Sequence, residues 1–391
     1  MINNNLISVI LPTFNFIEST SKALDALACQ TLSPSEVIII DSSPNHGIED
    51  LAKKYEDRLN IVYFSIPKAY PGEARNIGIS KAAGRYIGFL DSKTIPKPEW
   101  ISDAMQKISQ ENLDLEFGST NYLANSKLQK IFQASIYGKK PVETTPGTFI
   151  SLDAMKQIGN FIEGVRASDD LEWRNRIKAS NLRYSSPMTG VLSYSEISKD
   201  LWSEIKRHFI YQFHSALTEV QINTKIFVLG ISLLLISLII PHWNGIVGWK
   251  DSIFYIPHIT RGFFYIFSIL SIIVLFSSKF LKFRTTLSKV IAAIMAMLFL
   301  NFVTQWNEVM ANWVDESFLY IPHITKFYIF GLVFIAFVYR GIISPIRGGF
   351  TILDLAPLNW LAYGIVGFIL DLVKIPGYFF GALVALFRVF R

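Results

Sequence analysis

The chain has 391 residues, of which 51% are hydrophobic, 17% charged and 14% aromatic, with a formal net charge of +6 and a mean hydropathy of +0.33. That hydropathy is high for a fully soluble protein, and the single cysteine, Cys29, excludes an internal disulfide and fits a reducing compartment. Much of the positive charge flanks apolar runs, which argues for a membrane surface and against nucleic acid. Most acidic residues precede Glu219, and from Ile226 onward Ile, Leu, Phe and Val dominate, a boundary that divides the chain in two. The N-terminal MINNNLISVILPTFN has no basic leader and only a short apolar run. It reads as a buried strand rather than a signal peptide, which leaves the first half in the cytoplasm.

In chain order, Leu6–Leu11 is a short apolar run ending in the loop Pro12-Thr13-Phe14-Asn15. A helical stretch with Leu24, Leu27 and Ala28 follows, then Glu36–Asp41, the pattern of a strand buried on both faces. Leu51–Tyr55 reads as helix, Ile61–Phe64 as strand, Glu73–Ala83 as helix, and Tyr86–Leu90 as strand leading into Asp91. Strand and helix alternate at βαβ spacing, which predicts a mostly parallel sheet covered on both faces. Ligands of such sheets collect at the carboxyl ends of the strands. Thr13, Asn15, Asp41, Ser43 and Asp91 all fall at such ends and point to a nucleotide-type ligand.

Four segments then resemble, in order and spacing, the GT-A fold glycosyltransferases of the large inverting family 2. They are Ser8–Asn15 (SVILPTFN), Glu36–Ser43 (EVIIIDSS), Pro71–Ile79 (PGEARNIGI) and Gly84–Asp91 (GRYIGFLD). The likeness covers residues 6 to about 195. It implies an α/β GT-A domain (nucleotide-diphospho-sugar transferase, Rossmann-like) followed by an all-α transmembrane domain. By the same resemblance Pro12, Thr13, Asn15, Asp41 and Ser43 hold the nucleoside of a nucleotide-sugar donor, and Arg75 and Asn76 lie beside its diphosphate. Thr144–Ile150, with Gly147 and Thr148, is similar to the acceptor-side strand. In Ala167–Arg176, Asp169 stands where the family has Glu, Asp170 stands at the catalytic base, and Trp173 and Arg176 follow on an amphipathic helix. The chemistry asks for such a residue, since a sugar hydroxyl attacks well only when a carboxylate removes its proton. Two adjacent carboxylates repel, which raises the proton affinity of one. Plainer readings stand beside these: Asp41 as a turn residue, Arg75 as a surface charge, and Ser168 and Asp169 as a helix cap.

One position departs from the family. A carboxylate is expected two residues after Asp91, completing the Asp-x-Asp site for Mg2+ or Mn2+, and this chain has Lys93. Three arrangements are open: a metal held by Asp91 and the diphosphate alone, the Lys93 ammonium replacing the metal at the leaving group, or a site that binds without turnover. The last is a non-catalytic sugar-nucleotide-binding membrane scaffold. A polyprenyl-phosphate sugar synthase is the sibling alternative, although an ionised phosphate acceptor would need no base.

The second half carries apolar runs at Ile226–Ile240, Phe263–Phe276, Val290–Val303 and Phe327–Ile343. They predict four membrane helices over residues 225–343. Lys225, Lys279, Lys282, Arg284, Lys289, Arg340 and Arg347 place their loops on the cytoplasmic side, the same face as the first half. Tyr255–Thr260 (YIPHIT) recurs as Tyr320–Thr325, which makes the four helices two repeated hairpins. Residues 196–224, with Leu201, Ile205, Phe209 and Phe213 at helical spacing, form an amphipathic interfacial helix or linker. In residues 344–391, Leu358–Leu372 and Tyr378–Phe390 are apolar but broken by Asp371, Lys374 and Pro376, giving membrane-associated or re-entrant helices. The function expected is transfer of a sugar to a hydroxyl of a lipid-linked glycan or glycolipid at the cytoplasmic membrane face.

Overall fold

The computed structural model describes residues 7–187, 189–218 and 333–389, with a few isolated positions besides. Residues 1–220 and 339–391 form one compact unit and residues 221–338 a second. The runs expected to be membrane helices between residues 225 and 343 lie largely outside the described residues, as do both YIPHIT segments.

The first unit is built on a nine-stranded mixed sheet. Strands β1 (Ile7–Thr13), β2 (Glu36–Asp41), β3 (Ile61–Ser65) and β4 (Tyr86–Phe89) run parallel in the order β3-β2-β1-β4. Helices α1 (Ile17–Ala28), α2 (Gly47–Lys53) and α3 (Pro71–Lys81) connect them. β1 and β2 are nearly continuous buried aliphatic runs, as a sheet covered on both faces requires. Beyond β4 the sheet turns antiparallel. β5 (Thr94–Pro96) is followed by α4 (Trp100–Gln110), β6 (Leu115–Tyr122), α5 (Lys127–Phe132), β7 (Val142–Ser151), α6 (Leu152–Ile158), α7 (Asp169–Ala179), β8 (Tyr184–Ser185) and β9 (Leu192–Tyr194). β7 pairs antiparallel with β4 and β6, and β9 pairs parallel with β6 and antiparallel with β5. The expected α/β GT-A-like domain is therefore present.

Two apolar cores sandwich the sheet. One joins Val9, Leu11, Val37 and Ile39 to α1 and α4 through Leu24, Leu27, Trp100 and Met105. The other sets Ile10, Ile87, Phe89 and Phe117 against Phe161, Trp173 and Ile177. Each fully buried Leu, Ile or Phe contributes roughly 1.5–3 kcal/mol, so the strands fold where burial is available on both faces.

The C-terminal segment returns to the first unit. α8 (Leu201–Ala216) is one amphipathic helix, capped by the Asp200 carboxylate, which accepts from the Ser203 N–H at 2.8 Å. A single long helix, α9 (Asn359–Val389), replaces the two broken ones expected, with Pro376 inside it. An interior proline removes one backbone hydrogen bond, a loss that apolar helices absorb when neighbours re-satisfy the backbone. α9 crosses α8 closely. A Cβ at Gly377 would stand 2.7 Å from the Phe209 carbonyl oxygen, and one at Gly381 would stand 2.2 Å from that of Phe213. Val366 and Leu370 of α9 share a buried cluster with Phe132 and Ile197. Over Asn359–Ala382, α9 is long and apolar enough to cross a membrane.

Candidate active site

The carboxyl ends of β1, β2 and β4 meet the start of α7 at one edge of the sheet. Thr13 and Asp41 are register partners at the ends of β1 and β2, and Asp91 follows β4, the strand on the other side of β1. Asp41 is fully buried; its Oδ1 accepts from the Ser43 N–H and its Oδ2 from the Tyr63 hydroxyl, both at 2.9 Å. Burial first, and then this carboxylate, raise the Tyr63 phenol far above its ordinary range. The Ser43 hydroxyl accepts from the Asn15 N–H at 2.7 Å. Asn15 sits at φ +58°, a left-handed conformation uncommon for a residue with a side chain. Pro12, Thr13, Asn15, Asp41 and Ser43 are thus brought together as one loop cluster.

Arg75 organises the next part. Its side chain is 4% exposed, and it donates through Nη1 to Asp169 Oδ2 and through Nη2 to Asp91 Oδ1, each at 2.8 Å. Burial works against its charge, yet Asp91 and Asp169 outweigh that and hold the guanidinium more firmly protonated than usual. Asp169 is pushed up to about 6, by burial first, with Arg75 pulling it down and Asp170 and Asp91 pushing it up. It therefore remains ionised at neutral pH, as its contact with Arg75 requires. α3 approaches α7 closely enough for this contact because residue 72 is glycine. A Cβ there would stand 2.6 Å from the Ile162 carbonyl oxygen and 3.3 Å from the Asp169 side chain.

Asp170 follows in the first turn of α7. The helix starts after Ser168, which takes φ +73°, a second left-handed non-glycine residue at the site. The Asp170 side chain is 36% exposed, and its nearest cation is Arg174, at 3.7 Å. Thr145 of β7 donates its hydroxyl to the Asp170 backbone carbonyl at 3.4 Å. Asp91 is as exposed, at 40%, but one of its oxygens is bound to Arg75, and Asp169 is buried and spent on Arg75; among the described residues Asp170 is the carboxylate of the group that no hydrogen bond holds.

Lys93 does not turn toward Arg75. Its ammonium lies 3.6 Å from the centre of the Phe16 ring and 3.6 Å from Glu196 Oε2. Glu196 in turn accepts a hydrogen bond from the Ser19 hydroxyl. Burial, followed by the charges of Arg207 and Arg166, lowers the Lys93 pKa against the pull of Glu196. The residues present do not make a divalent-cation cage. Asp91 commits one oxygen to Arg75, position 93 is a cation, and among the described residues no three His, Cys, Asp or Glu groups converge as a metal site.

Five residues expected as contacts are also tied into the framework. Asn76 binds Phe161 N–H, Phe161 carbonyl and Glu163, each at 2.9 Å. Trp173 is fully buried against Phe89 and Phe161. Arg176 is held by Glu172 and the carbonyls of Ile158 and Asn160. Thr148 bridges Gly118 N–H and the Thr144 carbonyl inside the sheet. Gly147 takes φ +89° and its carbonyl accepts from the Trp100 indole at 2.9 Å. The reason is shared: a polar side chain beside a cleft is also the nearest group available to tie down the loops that form it. Phe16 and Glu196 reach the site without a signal in the sequence, because each is defined by a partner distant in the chain.

Residues 8–154 match the model for Glycosyl transferase family 2. The chain is similar to glycosyltransferase AglE of Haloferax volcanii, 26% identical over 193 residues, covering 46% of this chain and 62% of the relative. It is also 30% identical over 174 residues to an uncharacterized glycosyltransferase of Rickettsia bellii, covering 42% of this chain and 25% of that one. The chain thus spans less than two thirds of the length of either relative. Among solved structures, S. aureus TarS 1-349 in complex with UDP aligns at 18% identity and a TM-score of 0.39, over 55% of this chain and 67% of that one. On the match of its first strands, helices and loops, this chain carries a glycosyl transferase family 2 domain.

Proposed function

We propose that the chain is a membrane-associated inverting glycosyltransferase that passes a sugar from a nucleotide donor to a hydroxyl of a lipid-linked glycan or glycolipid. The observation that carries this reading is the division of labour at Arg75: Asp91 and Asp169 are hydrogen-bonded by one buried cation, while the Asp170 carboxylate beside them takes no hydrogen bond among the described residues and has Arg174 at 3.7 Å. Asp170 accepts the proton of the acceptor hydroxyl as that oxygen bonds to the anomeric carbon. The bond from that carbon to the nucleoside diphosphate breaks on the opposite face, and the electron pair leaves with the phosphate. The loop cluster of Pro12, Thr13, Asn15, Asp41 and Ser43 receives the nucleoside. Lys93, with Arg75 behind Asp91, supplies the positive charge that the leaving diphosphate needs. Breaking the ammonium's contacts with Phe16 and Glu196 would free Lys93 for the phosphate. The apolar length of α9 and its packing on α8 support a place at the membrane, and the charges flanking the apolar runs of the second half support the cytoplasmic face.

The test is transfer by the full-length protein across a panel of UDP-, GDP-, dTDP- and CMP-sugars, with and without EDTA. Asp170→Asn is expected to lower turnover by about 10²–10⁴-fold with donor affinity retained. Lys93→Ala is expected to lower turnover by about 10²–10³-fold, and EDTA to change neither binding nor turnover. Donor binding without turnover in the wild type would instead identify a sugar-nucleotide sensor. Loss of both on chelation would remove Lys93 from its role.

A further inference from the structure

Arg174 lies one helical turn past Asp170 on α7, at the i,i+4 spacing that sets two side chains on one face. On a solvated helix such a pair adds little, but this one is enclosed. The Arg174 side chain is 13% exposed, and β7 fixes its fork. Nη1 donates to the Glu143 backbone carbonyl at 2.8 Å and to Glu143 Oε1 at 3.2 Å. Nη2 stops 3.7 Å from Asp170 Oδ2, too far for a hydrogen bond. Nε is buried and bonds nothing among the described residues. A buried N–H left unpaired costs stability, so packing alone does not account for where this guanidinium sits.

Glu143 is itself held in place. Lys178 Nζ lies 2.6 Å from its Oε1, and the Ser186 hydroxyl donates to its Oε2 at 2.7 Å. Burial works against the Glu143 charge, but Lys178 and Ser186, then Arg174, outweigh it and keep the carboxyl below its usual range. Lys178 thus answers Glu143, and Arg75 binds Asp91 and Asp169, which leaves the Arg174 charge to face Asp170. Without that charge Asp170 would turn inward and compete with Asp169, its neighbour in the chain, for Arg75.

A general base must keep an oxygen free to take a proton. A cation bonded to that oxygen would occupy it. A cation held a little beyond bonding distance attracts the carboxylate and leaves its lone pairs available. We propose that Arg174 is a positioning residue, kept by Glu143 just short of Asp170, so that the carboxylate is fixed in direction while its oxygens stay free for the incoming hydroxyl. This rests on the reading of Asp170 as the base. Glu143 and Arg174 are 31 residues apart in the chain, and β7 is the element that brings them together.

The experiment measures nucleotide release by full-length protein in detergent from UDP-, GDP-, dTDP- and CMP-sugars, with water as the nucleophile. The water oxygen bonds to the anomeric carbon, one of its protons passes to Asp170, and the nucleotide leaves with the electron pair of the broken bond. kcat and KM are taken with the donor that turns over fastest, and nucleotide affinity and melting temperature are recorded on the same samples. Arg174→Met, which keeps an apolar stem, is expected to lower kcat about tenfold with donor KM and nucleotide affinity unchanged. Arg174→Lys, which keeps the charge, is expected to recover part of that loss. In an Asp170→Asn background Arg174→Met is expected to change kcat no further, because its effect passes through the base. An unchanged kcat in Arg174→Met, an equal loss in the Lys variant, the same further loss in the Asp170→Asn background, or a raised donor KM each overturns the proposal, while wild-type turnover keeps the transferase reading. Should Arg174→Met not fold, Glu143→Gln carries the test. It keeps an oxygen for Nη1, removes the charge that holds Arg174 back, and is expected to lower kcat at constant donor KM; a wild-type kcat there overturns the proposal. Wild-type protein that binds a nucleotide sugar and releases none defeats the transferase reading, and the role of Arg174 with it.

Discussion

Arg75, Asp91, Asp169 and Asp170 show how adjacent carboxylates acquire different tasks from their surroundings. In sequence Asp169 and Asp170 are equivalent, and only the fold buries one against a cation and leaves the other open. Because the folded-state pKa of Asp169 is about 6, above the ordinary value of about 3.9, the fold favours its protonated form. Its contribution to stability is therefore fully present below about 3.9 and is lost as the pH rises through about 6. Acid does not unfold the protein through this group. It removes the charge that holds Arg75 Nη1, so activity is expected to fall as the pH drops through about 6 while thermal stability shows no matching loss. Asp169→Asn, which can still accept from Arg75, should flatten that acidic limb. A pH profile of kcat/KM with the same limb in the variant would show that another group sets it.

The parallel strands were legible because burial on both faces writes an unbroken aliphatic run. Glu36–Asp41 is bounded in the structure as in the sequence, and β1 runs two residues past its expected end. β8 and β9 have two and three residues, too few for a period, and they exist because β6 offers them partners. The pairing of Arg75 with Asp169 spans 94 residues, so local pattern could nominate both residues but not join them. Asn76 and Trp173 raise the same question, because a motif marks a residue as constrained without telling whether a ligand or the fold constrains it. Helix α3 supplies both kinds of constraint. Gly72→Ala puts a methyl within 2.6 Å of a backbone oxygen at Ile162 and against Asp169, so α3 and α7 must separate. The expected cost is about 1–3 kcal/mol, together with a fall in turnover at saturating donor. A variant with wild-type melting temperature and turnover would mean that the spacing of α3 and α7 does not set the Arg75–Asp169 contact.

At the scale of the molecule, the first unit is not finished at the end of its family 2 domain. The buried faces of α5 and of the loop before α8 need Val366 and Leu370, which lie far along the chain on α9. A long apolar run near a C-terminus reads as membrane-bound from composition alone, and only a fold shows that one stripe of it completes a protein core. Leu370 is 1% exposed beside Phe132 and Ile197, whereas Leu372, two residues on, is 47% exposed. Leu370→Ala is therefore expected to cost about 2–5 kcal/mol, a large part of the roughly 5–15 kcal/mol by which a domain is stable. It should lower the melting temperature reported by nucleotide-site probes, although no part of that site touches the residue. Leu372→Ala should leave that transition in place. Equal effects from the two substitutions would mean that α9 is held by its lipid-facing surface alone, and that the domain around Arg75 is stable without it.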